Sequence, residues 1–334
     1  MKDRIGLSFR RSSVGMAVLV LCALSPLQTR AQPAPALPEV LSAGEDHAIK
    51  RWDRQGKLAT VIGAHDGPVT GIALLPGNPG MTLVSAGRDG KLKIWNVPGA
   101  RPTLAQDAGA PVLALAVSPD GRTIATAGDD RRIRLWNASD GKELASLDAH
   151  ADAIRALQFA SSEVLVSASA DRTLRVWRVT RAGAMPLEYR SNIVAHDRPV
   201  AAIAIAPGGR SIASVSEDAF LKTWQIDDGS LKHRIRAGDG GVLAVAFSSD
   251  GRTIATGDES GRIRLWDAEK GRETTVFPAG HERAVTALAF SPDGRILISG
   301  GEDRTLRYWN ATSGQLLMKV EAHLGTVRAI VILP

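Results

Sequence analysis

Cysteine is nearly absent from this chain: of 334 residues, Cys22 is the single one. One cysteine closes no disulfide within a chain and builds no Cys-x-x-Cys metal or haem motif. Beyond residue 31 there is none, so that part offers no thiolate nucleophile and no sulfur ligand. There is no glycine-rich phosphate loop opening a helix, and no segment of convincing helical period. No two of the 7 histidines stand at metal-ligand spacing. No cofactor, metal or catalytic residue is expected. Net charge is scarce too. Removing Lys2, Arg4, Arg10, Arg11, Arg30 and Asp3 from the 41 basic and 35 acidic residues leaves 36 and 34, a net charge of +2. A nucleic-acid-binding domain shows a clustered basic footprint, so nucleic acid is not an expected partner.

The six charges just removed belong to residues 1–31, which read as an export signal. A positive stretch runs to Arg11, an apolar run follows from Val14 to Leu24, and Thr29-Arg30-Ala31 offers small residues for cleavage. Ala34-Pro35-Ala36 is a second candidate cleavage site. The apolar run is too short to span a bilayer comfortably, so no integral membrane span is expected in the mature chain. An uncleaved anchor, twin-arginine export through Arg10-Arg11 and lipidation of Cys22 stay open as alternatives. Residues 32–38, rich in Ala and Pro, form an extended tether. The expected location is periplasmic or secreted.

What is abundant is repetition. The 7 tryptophans are Trp52, Trp95, Trp136, Trp177, Trp224, Trp266 and Trp309, spaced 43, 41, 41, 47, 42 and 43 residues apart. A constant period in this range outranks every other fold signal. Each unit holds four strand-like runs, a to d, punctuated by Gly, Pro, Asp and Ser. In the last full unit these are 285–290, 296–300, 305–309 and 315–320. Strand a alternates small and large apolar residues, as in Ala287-Leu288 and Ala329-Ile330, which suits a strand buried on both faces. In strand c the residue two before Trp is always basic: Lys50, Lys93, Arg134, Arg175, Lys222, Arg264 and Arg307. Each is expected to lay its stem on apolar surface with its head in water.

This pattern resembles the WD-repeat family of β-propellers over residues 39–334. The matching residues are Trp52-Asp53 and Trp266-Asp267, the turn Asp six before Trp (Asp89, Asp303), the strand-b hydroxyl (Ser85, Ser299) and the His before strand a (His65, His281). Ser260 departs at the turn Asp, and Ala108 and Gly238 depart at the His. The resemblance implies an all-β, seven-bladed propeller of four-stranded antiparallel blades. The chain opens with strands b, c and d (40–42, 48–52, 58–62) and ends with a lone strand a (327–333), so that strand is expected to close the ring. The resemblance also implies a structural network: His65, Ser85, Asp89 and Trp95 in one blade, and His281, Ser299, Asp303 and Trp309 in another. Asp, His and Ser in every unit look like a catalytic triad, but an enzyme needs one site, whereas buried polar groups need partners in each blade.

Function is then expected on loops. In the family, partners often bind the face carrying the d–a loops and b–c turns. The candidate partner-binding residues there are Glu45, Arg88, Glu217, Glu259 and Glu302 before the turn Asp, and Arg155, Arg328, Leu113 and Leu243 after the opening residue of strand a. Glu217, Glu259, Glu302 and Glu45 form an acidic arc favouring a basic segment. The stretch 178–192, with Met185, Leu187 and Tyr189, is a longer c–d connection, either a second contact or packed on its own blade. The expected function is a non-catalytic scaffold for a protein or peptide, monomeric or within a hetero-complex. The alternatives are an exported enzyme or small-molecule binder at the channel mouth, and a structural subunit of an envelope assembly.

Overall fold

The computed structural model describes residues 36–333 apart from 78–80, 181–185 and 279. The expected export signal (residues 1–31), residues 32–35 of the expected tether, and Met185 lie outside the described residues.

The repeat folds as seven sheets, each of four antiparallel strands in the order a-b-c-d. Blade 1 joins the two ends of the chain: strand a is Val327–Ile332, and strands b, c and d are Val40–Gly44, Ala48–Trp52 and Leu58–Ala64. Its first ladder pairs Val40 with Ile332 and Ala43 with Ala329. The other six blades follow in chain order, ending with blade 7, whose strands are Val285–Phe290, Ile296–Gly301, Thr305–Asn310 and Leu316–Glu321.

Local chemistry explains the turns. In the a–b turn the Ser118 hydroxyl donates to Asp120 Oδ1 at 2.6 Å and accepts from the Thr123 N–H, while Gly121 supplies φ +69°. In the b–c turn the Asp carboxylate accepts the N–H two residues on, as Asp303 does from Thr305. The residue between them must be left-handed, and here the chain tolerates side chains: Arg131, Arg172, Ala219 and Arg304 have φ of 65°, 73°, 71° and 67°.

The core lies between blades. One apolar cluster joins Leu41, Ile49 and Ile62 of blade 1 to Val69, Ile72, Leu83 and Trp95 of blade 2. Another joins Leu306 and Tyr308 of blade 7 to Val40 and Trp52 of blade 1. A lone blade therefore cannot cover its own apolar faces, and stability comes from neighbours. The small positions of strand a reflect crowding at the axis: a β-carbon on Gly71 would stand 3.0 Å from Leu115 Cβ in blade 3.

The long fourth c–d connection is mostly strand. Leu187–Val194 is strand d itself and pairs with Thr173–Val179. Leu187 is buried, and Tyr189 packs edge-on against Trp177 at 5.7 Å between ring centroids. The sequence reading took 178–192 as one long connection and so counted most of strand d as loop; of its two alternatives, packing on its own blade is the one Leu187 and Tyr189 adopt.

Candidate functional site

Five blades carry one buried relay. In blade 2, Trp95 Nε1–H donates to Ser85 Oγ at 2.8 Å, and Ser85 Oγ lies 2.7 Å from His65 Nε2. His65 Nδ1 lies 2.9 Å from Asp89 Oδ1. An ionised carboxylate only accepts, so Nδ1 carries the proton and donates to Asp89. Nε2 then accepts from the serine hydroxyl. The direction is Trp to Ser to His to Asp, and every polar atom of the relay is used. Blade 7 repeats it with Trp309, Ser299, His281 and Asp303 at 2.8, 2.6 and 2.8 Å. Burial pushes the His65, His196 and His323 imidazoles below the usual range, which keeps them neutral. Burial alone would raise the partner carboxyls, but hydrogen bonds outweigh it: those from Lys50, His323 and Leu324 hold Asp46 at about 2.

Blades 3 and 6 lack the His and solve the problem differently. In both, the strand-b hydroxyl is a threonine: Thr126 and Thr256 accept from Trp136 and Trp266 at 2.8 Å. The five blades with His carry Ser42, Ser85, Ser167, Ser214 and Ser299, so hydroxyl type and imidazole vary together within one chain. In blade 6 the missing turn carboxylate is replaced by Asp258, two residues earlier, whose Oδ1 accepts from Ser260 N, Ser260 Oγ and Arg262 N. The signal was legible in the sequence, since Gly or Ser stands at that place in the other blades.

Four of the seven strand-c cations turn to a backbone carbonyl, where the sequence led us to expect their heads in water. Lys222 is buried and donates to Ala195 O at 2.6 Å. Lys50 donates to Ala322 O and to Asp46, both at 2.9 Å. Arg175 Nη1 donates to Ala149 O at 2.7 Å, and Arg307 donates to Gly280 O and Asp303. These acceptors include the carbonyl preceding the relay histidine, which lies in the loop beyond strand d. The cation closes the d–a loop.

Several of the candidate side chains collect at the channel mouth. A cavity of about 340 Å³ is lined by Arg328, Thr70, Leu113, Arg155, Ala201, Leu243 and Thr286, one from each blade, with Arg88 and Glu302. Thr70 Oγ1 donates to Ala86 O and, across blades, to Val112 O at 2.8 Å. Two of the arginines are consumed internally: Arg155 Nη1 donates to Glu217 Oε1 at 2.6 Å, and Arg328 pairs with Glu45. Glu45 also accepts from Thr326 Oγ1; its carboxyl is held below the usual range because these bonds outweigh the burial that would raise it.

The four glutamates therefore do not make one free acidic arc. Glu45 and Glu217 are neutralised, and Glu302 alone of the four lines the cavity. Glu259 folds over the d–a loop of its own blade, where a β-carbon on Gly240 would fall 1.9 Å from Oε1. A flexible side chain at a rim takes the nearest partner, and sequence order does not reveal which that is. Among the described residues, no group of three or more His, Cys, Asp or Glu is placed to hold a metal ion, and no helix is long and apolar enough to cross a membrane.

A family profile described as IFT122 first beta-propeller matches residues 111–323, and one described as WD domain, G-beta repeat matches residues 56–96. The small ribosomal subunit protein RACK1y of Oryza sativa subsp. japonica is 32% identical over 92 residues, 27% of this chain and 27% of that protein. The telomerase protein component 1 of Rattus norvegicus is 42% identical over 64 residues, 17% of this chain and 2% of that protein. The chain thus aligns with only a minor part of either relative. The crystal structure of the computationally designed Ika8 protein superposes with a TM-score of 0.69 at 27% identity, covering 89% of this chain and 88% of that one.

Proposed function

The chain belongs to the WD-repeat β-propeller family, and on that premise we propose that it is a non-catalytic interaction scaffold, holding a protein or peptide on the face that carries the channel mouth. The observation that carries this reading is the mouth cavity itself, to which all seven blades contribute side chains of differing chemistry. Outside it, the residues with a catalytic vocabulary are occupied: each relay histidine is held between a serine and an aspartate. Both curated relatives are named as components of assemblies, a ribosomal subunit and telomerase, and a scaffold role agrees with those names.

The proposal extends to place. The basic stretch to Arg11 and the apolar run from Val14 to Leu24 support export, so the scaffold would work in the periplasm or outside the cell. Within the mouth, Arg88 and Glu302 are the charged lining residues without an ion pair among the described residues, and they are the proposed polar contacts beside Leu113 and Leu243.

Cross-linking capture from native envelope extracts tests this with wild-type chain and with an Arg88→Glu/Glu302→Lys variant. A partner held by the first and lost by the second is the expected result. Equal capture by both would move the binding site off the mouth.

A further inference from the structure

Five of the seven d–a loops are braced against the b–c turn of the blade they enter. In each, the relay histidine pairs with the turn aspartate. The next N–H donates to the same carboxylate, at 3.0–3.1 Å from Asp66, Ala151, Asp197, Glu282 and Leu324. Blades 3 and 6 have neither brace. In blade 3, Ala108 stands in place of the histidine, and the next N–H, of Gly109, turns back to Asp107 Oδ1 at 2.8 Å. In blade 6, Gly238 replaces the histidine and Ser260 the turn carboxylate. That loop is held by Arg236 Nε donating to Gly238 O and by the exposed Asp239–Arg262 pair, both at 3.3 Å, and an exposed pair adds little. The strand-c cations follow suit: Arg134 pairs with Asp130 at 2.7 Å and Arg264 with Glu273 at 3.7 Å, where Lys50, Arg175, Lys222 and Arg307 close their loops. A loop with fewer ties opens at lower free energy.

These two loops lead into the two leucines of the mouth, Leu113 in blade 3 and Leu243 in blade 6. Both are half-buried. Leu243 leans on its own loop, with Cδ2 3.7 Å from where a β-carbon on Gly241 would stand. Between the leucines, blades 4 and 5 present an Arg155 already turned to Glu217 and the small Ala201, which leaves space. On the reading that the mouth holds the partner, we propose that Leu113 and Leu243 wall a subsite for one bulky apolar side chain of a bound peptide, and that the two unbraced loops carry these walls onto it. A cavity of about 340 Å³ lies at the small end of the range for ligand pockets, which suits one side chain and not a folded element. Charge selects the peptide. Arg88 stands in blade 2, next to the blade of Leu113, and Glu302 in blade 7, next to the blade of Leu243. A plain hydrocarbon would leave both charges unmatched, and an all-acidic or all-basic segment would meet one like charge. The matching segment carries its apolar residue between an acidic residue, for Arg88, and a basic one, for Glu302.

Selection of displayed random heptapeptides on the full chain tests it, followed by affinities of a synthetic consensus peptide and by amide exchange with and without that peptide. The expected consensus holds one large apolar residue between an acid and a base. Its affinity should fall about tenfold or more in Leu113→Ser/Leu243→Ser, and should fall in Arg88→Ala/Glu302→Ala. Protection of the amides of 109–110 and 239–240 should be lower than at the equivalent positions of the five braced loops, and should rise when the peptide binds. A consensus that needs Arg88 and Glu302 but holds no apolar residue, an unchanged affinity in the leucine variant, or protection equal to that of the braced loops would overturn the subsite and leave the mouth as the partner site. No enrichment, or a consensus peptide that binds Arg88→Ala/Glu302→Ala as it binds wild type, would overturn the mouth as partner site and the subsite with it.

Discussion

His323 Nε2 lies 2.7 Å from Ser42 Oγ, although 281 residues separate them. The four other relay histidines reach their serines across 17 to 20 residues. The same chemical device that stiffens an ordinary blade here joins the two ends of the chain. It is reinforced by His323 to Asp46 at 2.7 Å, Lys50 to Ala322 O at 2.9 Å and the Glu45–Arg328 pair. Backbone pairing of strands 40–44 and 327–332 closes the ring, and these side chains lock it on the channel-mouth face.

His323→Ala should therefore do more than remove one relay. Leaving Ser42 and Asp46 without their partner is expected to cost about 2–3 kcal/mol in urea unfolding. His281→Ala should cost a similar amount. The two differ in where the chain opens: amide exchange in 40–44 and 327–332 should rise in His323→Ala and stay near wild type in His281→Ala. Equal protection of those strands in both variants would show that the backbone ladder alone holds the seam.

Acidification should weaken the fold in two stages. The His65, His196 and His323 imidazoles sit below their ordinary value because of burial. A depressed native value means that the unfolded chain binds protons first. The stability these groups confer is complete above the unfolded histidine range, near pH 6.5, and is lost as pH falls below it. Asp46, held at about 2 against an ordinary 3.8, gives a second loss between those values. Thermal melts from pH 8 to 3 should show Tm level above about 7, falling from about 6.5 downward, and falling again below about 4. A Tm that rises on acidification from 7 to 5 would contradict the neutral relay.

The strand-c cations offer a direct choice between two physical accounts. A stem lying on apolar surface with its head in water would tolerate Arg307→Met at a cost within about 0.5 kcal/mol. A buried guanidinium donating to Gly280 O and Asp303 should cost about 1.5–3 kcal/mol, the range for bonds to charged groups. Chemical unfolding of the variant distinguishes them. A near-zero cost would restore the account drawn from the sequence.

Much of this was legible from residue order. The tryptophan period, the turn aspartates and the split first unit are enough to place strands, blades and closure, and the ladders run where those signals put them. The positions after the opening residue of strand a were also correctly grouped: Thr70, Leu113, Arg155, Ala201, Leu243, Thr286 and Arg328 do meet around one cavity. The misses at the channel mouth and in strand c share one cause. Glu217 and Glu45 turning to arginines, and Lys222 reaching Ala195 O, are choices made by side chains among neighbours. A periodic pattern says which face a residue occupies and says nothing of which rotamer it adopts there.

The sequence by itself determined the architecture, because a strand period of two, hairpin turns with Asp and Gly, and seven-fold repetition admit few ways to bury both faces of every blade. Only the tertiary structure decided which charges at the mouth remain free. That depends on distances of a few ångströms between side chains of different blades, and such distances arise only once the ring has closed.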